Sequence, residues 1–157
     1  MTTWAEFVEA TPELAACGAE RFEGPSFIYL GSTLVDGWPR ITPVELLISD
    51  GELYLGMMWQ SMKALNLLRD PRSLLHSAIT DRMGSEGEFK LRGRAVDVTD
   101  EDERKRYGVA LEAKIGWRPG DTPFHLFAVD IVDVAQITRD GPEVDNPQQH
   151  VGVWAPQ

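Results

Sequence analysis

The chain has little cysteine, little histidine and no long apolar run, and each scarcity removes a class of function. Cys17 is the single cysteine, so no internal disulfide can form and a reducing compartment suits the chain. Its setting, Leu14-Ala15-Ala16-Cys17, points to a buried, inert thiol rather than a nucleophile. The three histidines, His76, His125 and His150, stand far apart, and no His/Cys pair has the spacing of metal ligands, so no metal site is expected. No apolar stretch approaches the length of a membrane span. There is no Gly-x-Ser-x-Gly turn, and Gly31-Ser32 falls inside a strand-like run, which leaves no nucleophile elbow. A Gly-rich dinucleotide fingerprint is missing too. Basic residues are outnumbered 15 to 25, giving a formal net charge of -10. That balance disfavours nonspecific binding to nucleic acid or to anionic membranes. The first residues show no basic segment followed by an apolar one, so a cytoplasmic location is expected.

What remains is ample for a core: 157 residues, 43% of them hydrophobic, read as one domain over 1–157. Two short helices are predicted over about 3–21. Thr3-Trp4-Ala5-Glu6 has the capping-box pattern, and Thr11-Pro12 sets a cap residue before a proline at the first helical position. From residue 27 the period changes to that of strands: 27–34, 40–48, 53–57, 73–79, 88–98, 124–131 and 134–138. Asp36-Gly37 and Asp50-Gly51 punctuate the first three as turns of an antiparallel meander. Pro43 marks an edge, a bulge or a stretch of backbone facing a ligand. In 88–98, Phe89, Leu91, Gly93 and Ala95 share one face, with Lys90, Arg92 and Arg94 on the other. A helix over 62–69 stops at Asp70-Pro71. Another follows Thr99-Asp100-Glu101-Asp102 to about residue 115, its acidic start and Arg104-Lys105-Arg106 reading as a solvated, ion-paired surface. The tail over about 140–157 has little to pack with. The fold class is mainly β with short α insertions, six or seven antiparallel strands closing into a small barrel that leaves few edges.

Ser61 and Lys63 open the 62–69 helix directly after a strand. A hydroxyl and an ammonium there suit a phosphate, because free backbone N–H groups and the positive dipole end point the same way. Trp38, Trp59 and Trp117 fall in turns and loops, where indoles stack on a planar cofactor or are covered in a dimer.

Three segments in register resemble a known family: Gly37-Trp38-Pro39-Arg40-Ile41-Thr42-Pro43-Val44, then Asp50-Gly51-Glu52-Leu53-Tyr54-Leu55, then Ser61-x-Lys63-x-x-x-Leu67-x-x-Asp70-Pro71-Arg72. Together, over about 27–98, they are similar to the pyridoxamine 5′-phosphate oxidase-like flavin-binding split-barrel family. The resemblance implies a six- or seven-stranded split β-barrel, homodimeric, with flavin sites at the dimer interface. It places Arg40, Ile41 and Thr42 against the flavin ring and phosphate, Gly56 and Met57 at the ring's border, and Ser61 and Lys63 in the phosphate anchor. Met62 stands where that anchor often carries arginine, and Arg40 offers a compensating guanidinium. Trp117 and Arg118 are further candidates, reaching the partner's site. The oxidases' C-terminal substrate segment has no counterpart here, since no arginine follows Arg139.

The implied function is that of a flavin-dependent oxidoreductase, FMN-binding, moving hydride to or from a small organic substrate; no catalytic residue is assigned. The alternative cofactor is the deazaflavin coenzyme F-420, whose polyanionic tail would lie along Lys63, Lys90, Arg92 and Arg94. A different class is a non-enzymatic flavin- or haem-binding carrier or sensor, with His76 or His125 as haem candidates.

Overall fold

The structure, a computed structural model, describes residues 1–24, 27–82, 86–140 and 148–156. In chain order its elements are α1 (Trp4–Ala10), α2 (Pro12–Glu23), β1 (Ile28–Thr33), β2 (Pro39–Val44), β3 (Leu47–Ser49), β4 (Glu52–Met58), α3 (Met62–Arg69), β5 (Arg72–His76), β6 (Glu88–Asp97), α4 (Glu101–Ile115), β7 (Phe124–Arg139) and β8 (Gln149–Trp154). The run expected as one strand over 40–48 divides at Glu45 and Leu46. This division sets the architecture. All pairings are antiparallel in the order β2-β1-β5-β6-β7-β4-β3, so β2 and β3 are the two ends of the sheet. A two-residue link between opposite ends forces the sheet to curl until its edges meet, which makes a barrel split between β2 and β3. As an end strand, β2 accommodates Pro43, which has no N–H for a further neighbour.

Inside the curl lies the main core. Ile28, Leu30, Leu55, Leu75, Phe89, Leu91, Phe127 and Val129 are all but completely buried there. The alternation expected on β6 is observed, with Phe89, Leu91, Gly93 and Ala95 inward. A second, smaller cluster lies on the outer face of β3, β4 and β7, where Leu47, Tyr54, Leu126 and Ala128 meet Tyr107 and Leu111 of α4. β7 is thus covered on both faces, which explains an unbroken apolar run where a half-exposed strand would alternate.

The two strands expected over 124–131 and 134–138 are one. Arg92 pairs with Asp133 and Gly93 with Ile131, so Val132 is the extra residue of a bulge and the chain bends there without breaking. β7 runs on beyond β4 along the same edge, and β8 fills the space that β4 leaves, pairing from Val134↔Trp154 to Arg139↔Gln149. The tail expected to be loose is therefore anchored from Gln149, with the Trp154 ring 4.9 Å from that of Phe7. Residues 141–147 of that tail lie outside the described residues.

Both N-terminal helices form as their caps direct. Thr3 and Glu6 make the reciprocal capping box, while Thr11 ends α1 by donating its N–H to the Phe7 carbonyl and precedes Pro12. Trp4, Phe7, Ala15 and Phe22 project from these helices into the main core. Arg21 fastens α2 to the sheet, with Nη1 on Glu86 Oε2 at 2.8 Å and Nη2 on the Ala78 carbonyl at 2.7 Å. Hydrogen bonds from Thr80 and from Arg21 hold the Glu86 carboxyl down at about 2. The clamp is therefore fully present above the ordinary glutamate range and is lost as pH falls through about 2.

α4 departs from the expected solvated surface at two residues. Arg104 turns inward, donating to the carbonyls of Val98 (3.0 Å) and Phe124 (2.8 Å) with its guanidinium 4.2 Å above the Phe124 ring. Glu103 accepts from Tyr54 Oη at 3.0 Å. Lys105 and Asp102 form the exposed intrahelical pair expected of such a surface. Among the described residues no helix is long and apolar enough to cross a membrane.

Candidate functional site

Where the chain leaves β2, beside the end of β4 and the start of α3, lies a cleft of about 610 Å³, within the size range of small-molecule sites. Each wall has a local origin. Pro43, Val44 and Glu45 come from the end of β2, where the chain leaves one sheet edge for the other. Gly56, Met57 and Met58 end β4; Trp59 and Gln60 then turn the chain, Gln60 with a left-handed φ of 57°, and Ser61 donates its N–H to the Met58 carbonyl. That turn delivers Lys63 to the cleft. Tyr107 and Leu111 come from α4, and Trp117, Pro119, Thr122 and Phe124 from the connection to β7. Gly116 ends α4 with a left-handed φ of 72°, a conformation that favours glycine, and this starts the connection over the cleft.

Apolar and aromatic side chains dominate the lining, and Lys63 and Glu45 are its one cation and one anion among the described residues. Lys63 Nζ makes a single, long hydrogen bond, 3.4 Å to the Pro43 carbonyl. Burial lowers its pKa, against an opposing pull from Glu45, and the Arg40 guanidinium is near enough to lower it further. An ammonium partly stripped of water and short of acceptors is well disposed toward an incoming anion. Tyr107 is 5% exposed, edge-on to Tyr54 and stacked on Phe124 at 6.0 Å. Burial first, then Glu45, pushes its phenol up to about 12.

Three buried hydroxyls have no partner among the described residues. Ser61 is the N-cap of α3, yet its side chain makes no capping bond, and Ser61 Oγ is buried with no hydrogen bond. Thr42 Oγ1 on β2 is likewise buried and unpartnered, as is Ser32 Oγ on the facing β1 strand. Leaving such a group unmet costs about 1–3 kcal/mol, so the Ser61 hydroxyl at the start of α3 favours an oxygen-rich guest.

The residues singled out from sequence fall into three places. Gly56, Met57, Lys63 and Trp117 line the cleft together. Arg40, Thr42 and Ser61 are half-buried and do not line it, with Arg40 and Thr42 on the same face of β2. Ile41 points the other way and is 73% exposed. Arg118 pairs with Glu112 at 3.5 Å and borders a second, more open cleft of about 770 Å³ that shares Pro119, Thr122 and Phe124 with the first. Neither haem candidate borders the first cleft. His76 has Nδ1 on the Ser77 carbonyl at 2.7 Å and Nε2 3.5 Å from Glu88, and His125 is buried with Trp59 stacked on it at 4.5 Å. Sequence reasoning passed over Tyr107, Leu111 and Glu45. The available signal was the narrow stripe Arg104, Tyr107, Leu111 at helical spacing within an otherwise charged helix.

No protein-family model matches the chain, and no curated protein matches it by sequence. Solved structures do match. A pyridoxamine 5′-phosphate oxidase-like protein from Listeria innocua is 16% identical with a TM-score of 0.62, over 78% of this chain and 94% of that one. An F-420 reductase is 15% identical with a TM-score of 0.56, over 74% and 94%. A haem-binding protein from Mycobacterium smegmatis is 17% identical with a TM-score of 0.60, over 86% of this chain and 57% of that one. These neighbours share the split-barrel fold, and the fold of this chain is the split barrel.

Proposed function

We propose that this split barrel binds a phosphorylated flavin, FMN, in the cleft beside the end of β2 and serves a flavin-dependent oxidoreductase reaction on a small organic substrate. One observation carries the reading: the buried, unpartnered Ser61 Oγ at the start of α3, two residues from a half-buried Lys63 that is short of acceptors. A phosphate would satisfy both, with the free N–H groups of the first helical turn as further donors. The ring would then lie along Met57, Met58 and Trp59, next to Lys63, a lining suited to a planar heterocycle that leaves the Tyr107 side of the cleft to a substrate. Arg40 supplies the second cation where Met62, 56% exposed, supplies none.

When bound, the flavin supplies the hydride chemistry. The protein's part is to hold, orient and keep dry. Lys63 and Ser61 fix the phosphate end, Gly56 keeps the β4 wall low, and the 116–123 connection with Trp117 shields the ring from water. No general acid or base is required by this assignment of roles.

The alternative, coenzyme F-420, is less well served. Its long anionic tail would need the outward cations of β6, and these are already engaged: Lys90 with Glu88 at 2.7 Å, Arg92 with Asp133, and Arg94 3.9 Å from Asp130. Titration of the protein with FMN, followed by quenching of flavin fluorescence, tests the reading. Lys63→Ala is expected to weaken FMN about tenfold, the loss of one charge-assisted hydrogen bond. An unchanged affinity removes Lys63 from the site, and no binding by the unmodified chain removes the flavin.

The proposal includes pairing of two copies through the outer face of β2, β1 and β5. There Ile41 and Leu74 flank Gly31 in register while Tyr29 pairs with Pro43, and Tyr29, Ile41 and Leu74 are all exposed. Contiguous apolar surface of this kind marks an interface. Ile41→Asp is expected to turn a dimer into a monomer in sedimentation velocity; a monomeric unmodified chain would dismiss the pairing.

A further inference from the structure

The phenol of Tyr107 reaches the cleft through a gap made by Gly56. A Cβ at Gly56 would lie 2.1 Å from Tyr107 Oη, far inside van der Waals contact, so the glycine is what allows the hydroxyl to stand there. The rest of the tyrosine is fixed: it is 5% exposed, wedged between Tyr54 and Phe124, and its helix is capped at Asp100. Its hydroxyl has no hydrogen-bond partner among the described residues, whereas the neighbouring Tyr54 spends its own on Glu103. A rigid donor, held by packing and left unpaired at the wall of a cleft, is built for a ligand.

We propose that Tyr107 is a substrate-positioning and specificity residue, donating its hydroxyl hydrogen to the carbonyl oxygen of a flat, uncharged, largely aromatic substrate. The proposal rests on the cleft being the place where a small organic substrate binds, and is independent of which cofactor accompanies it. The chemistry of the walls selects this class. Trp117, Leu111 and Phe124 favour a planar apolar body. Because the phenol is held neutral well above physiological pH, it offers a hydrogen bond to a neutral acceptor and no charge. An anionic substrate would be repelled by Glu45 and drawn to Lys63, at the phosphate end. A hydrocarbon of the same shape would leave the phenol unmet, which is the basis of discrimination by polar groups.

The test compares 2-acetylnaphthalene with 2-ethylnaphthalene, near-isosteres differing in the carbonyl, on the full chain without added flavin. Affinity is read from the indole N–H resonances of Trp59 and Trp117, and the hydrogen bond from the carbonyl ¹³C shift of labelled 2-acetylnaphthalene. The unmodified chain is expected to prefer the ketone by about five- to tenfold, one hydrogen bond's worth, with the carbonyl resonance moved downfield. In Tyr107→Phe both the preference and the shift should vanish while 2-ethylnaphthalene binds as before. Tyr107→Phe is also titrated with FMN. A lost ketone preference with FMN affinity unchanged supports the proposal. A ketone preference that survives Tyr107→Phe overturns it, and so does its absence from the unmodified chain. Failure of the unmodified chain to bind FMN, with the ketone result intact, sinks the flavin reading alone.

Discussion

Phe89→Ala is expected to lower the unfolding free energy by about 3–5 kcal/mol, the range for emptying a buried aromatic site. Phe89 is 0% exposed at the start of β6, and its ring meets Phe22 edge-on at 5.0 Å and 90°. α2 presses directly on it: a Cβ at Gly18 would come within 2.4 Å of Phe89 Cζ. Partial collapse normally softens such a deletion, but α2 has little freedom to sink into the space. Arg21 ties it to Ala78 and Glu86, and the next residue, Phe22, is itself in the core. The upper half of the range is therefore expected. Small domains have only about 5–15 kcal/mol in all, so the variant should show a much lower urea midpoint with an unchanged slope. A loss under 1.5 kcal/mol would mean that α2 does not rest on this ring.

How much of this was legible beforehand depended on whether the deciding interaction was local. Caps and turns were: Thr3 with Glu6, Pro12, Asp36-Gly37 and Asp70-Pro71 act within a few residues, and those boundaries are as read. The inward face of β6 followed from a period of two. The barrel was legible as a class, and its neighbours among solved structures have that fold. The misreadings share a long-range cause. Nothing near Glu45 and Leu46 announces that β2 and β3 pair with different strands, since Pro39–Ser49 has the composition of one strand. Val132 looked like a break because a bulge and a loop carry the same local irregularity, and only pairing with β6 on both sides keeps β7 whole. β8 is short, exposed and polar, and exists because β7 outruns β4. At the site, Ser61 and Lys63 were visible as a helix start, but Tyr107 was hidden in a charged helix. Its role depends on a glycine 51 positions earlier in the chain (107 − 56).

That last pairing yields the second large effect. Gly56→Ala is expected to destabilise the chain by about 2–3 kcal/mol, the upper range for overpacking a well-filled site, although alanine is sterically compatible with a strand. The new methyl would sit 2.1 Å from Tyr107 Oη and 3.1 Å from Tyr107 Cζ. The tyrosine cannot retreat freely, being held between Tyr54 and Phe124 with Leu111 one turn further along α4. Removing the hydroxyl removes the worse contact and leaves the 3.1 Å approach, which a shift of a few tenths of an ångström relieves. In a Tyr107→Phe background the same Gly56→Ala change should therefore cost under about 1 kcal/mol, a coupling of roughly 1–2 kcal/mol between the two positions. Urea unfolding of the four proteins measures it. Additivity would show that Gly56 serves only the β4 backbone, and the gap through which the phenol reaches the cleft would lose its physical basis. Coupling of the expected size would show that glycine stands at this point of β4 for the sake of a hydroxyl on another element. The single Gly56→Ala protein should then also lose the ketone preference, because the displaced phenol no longer faces the ligand.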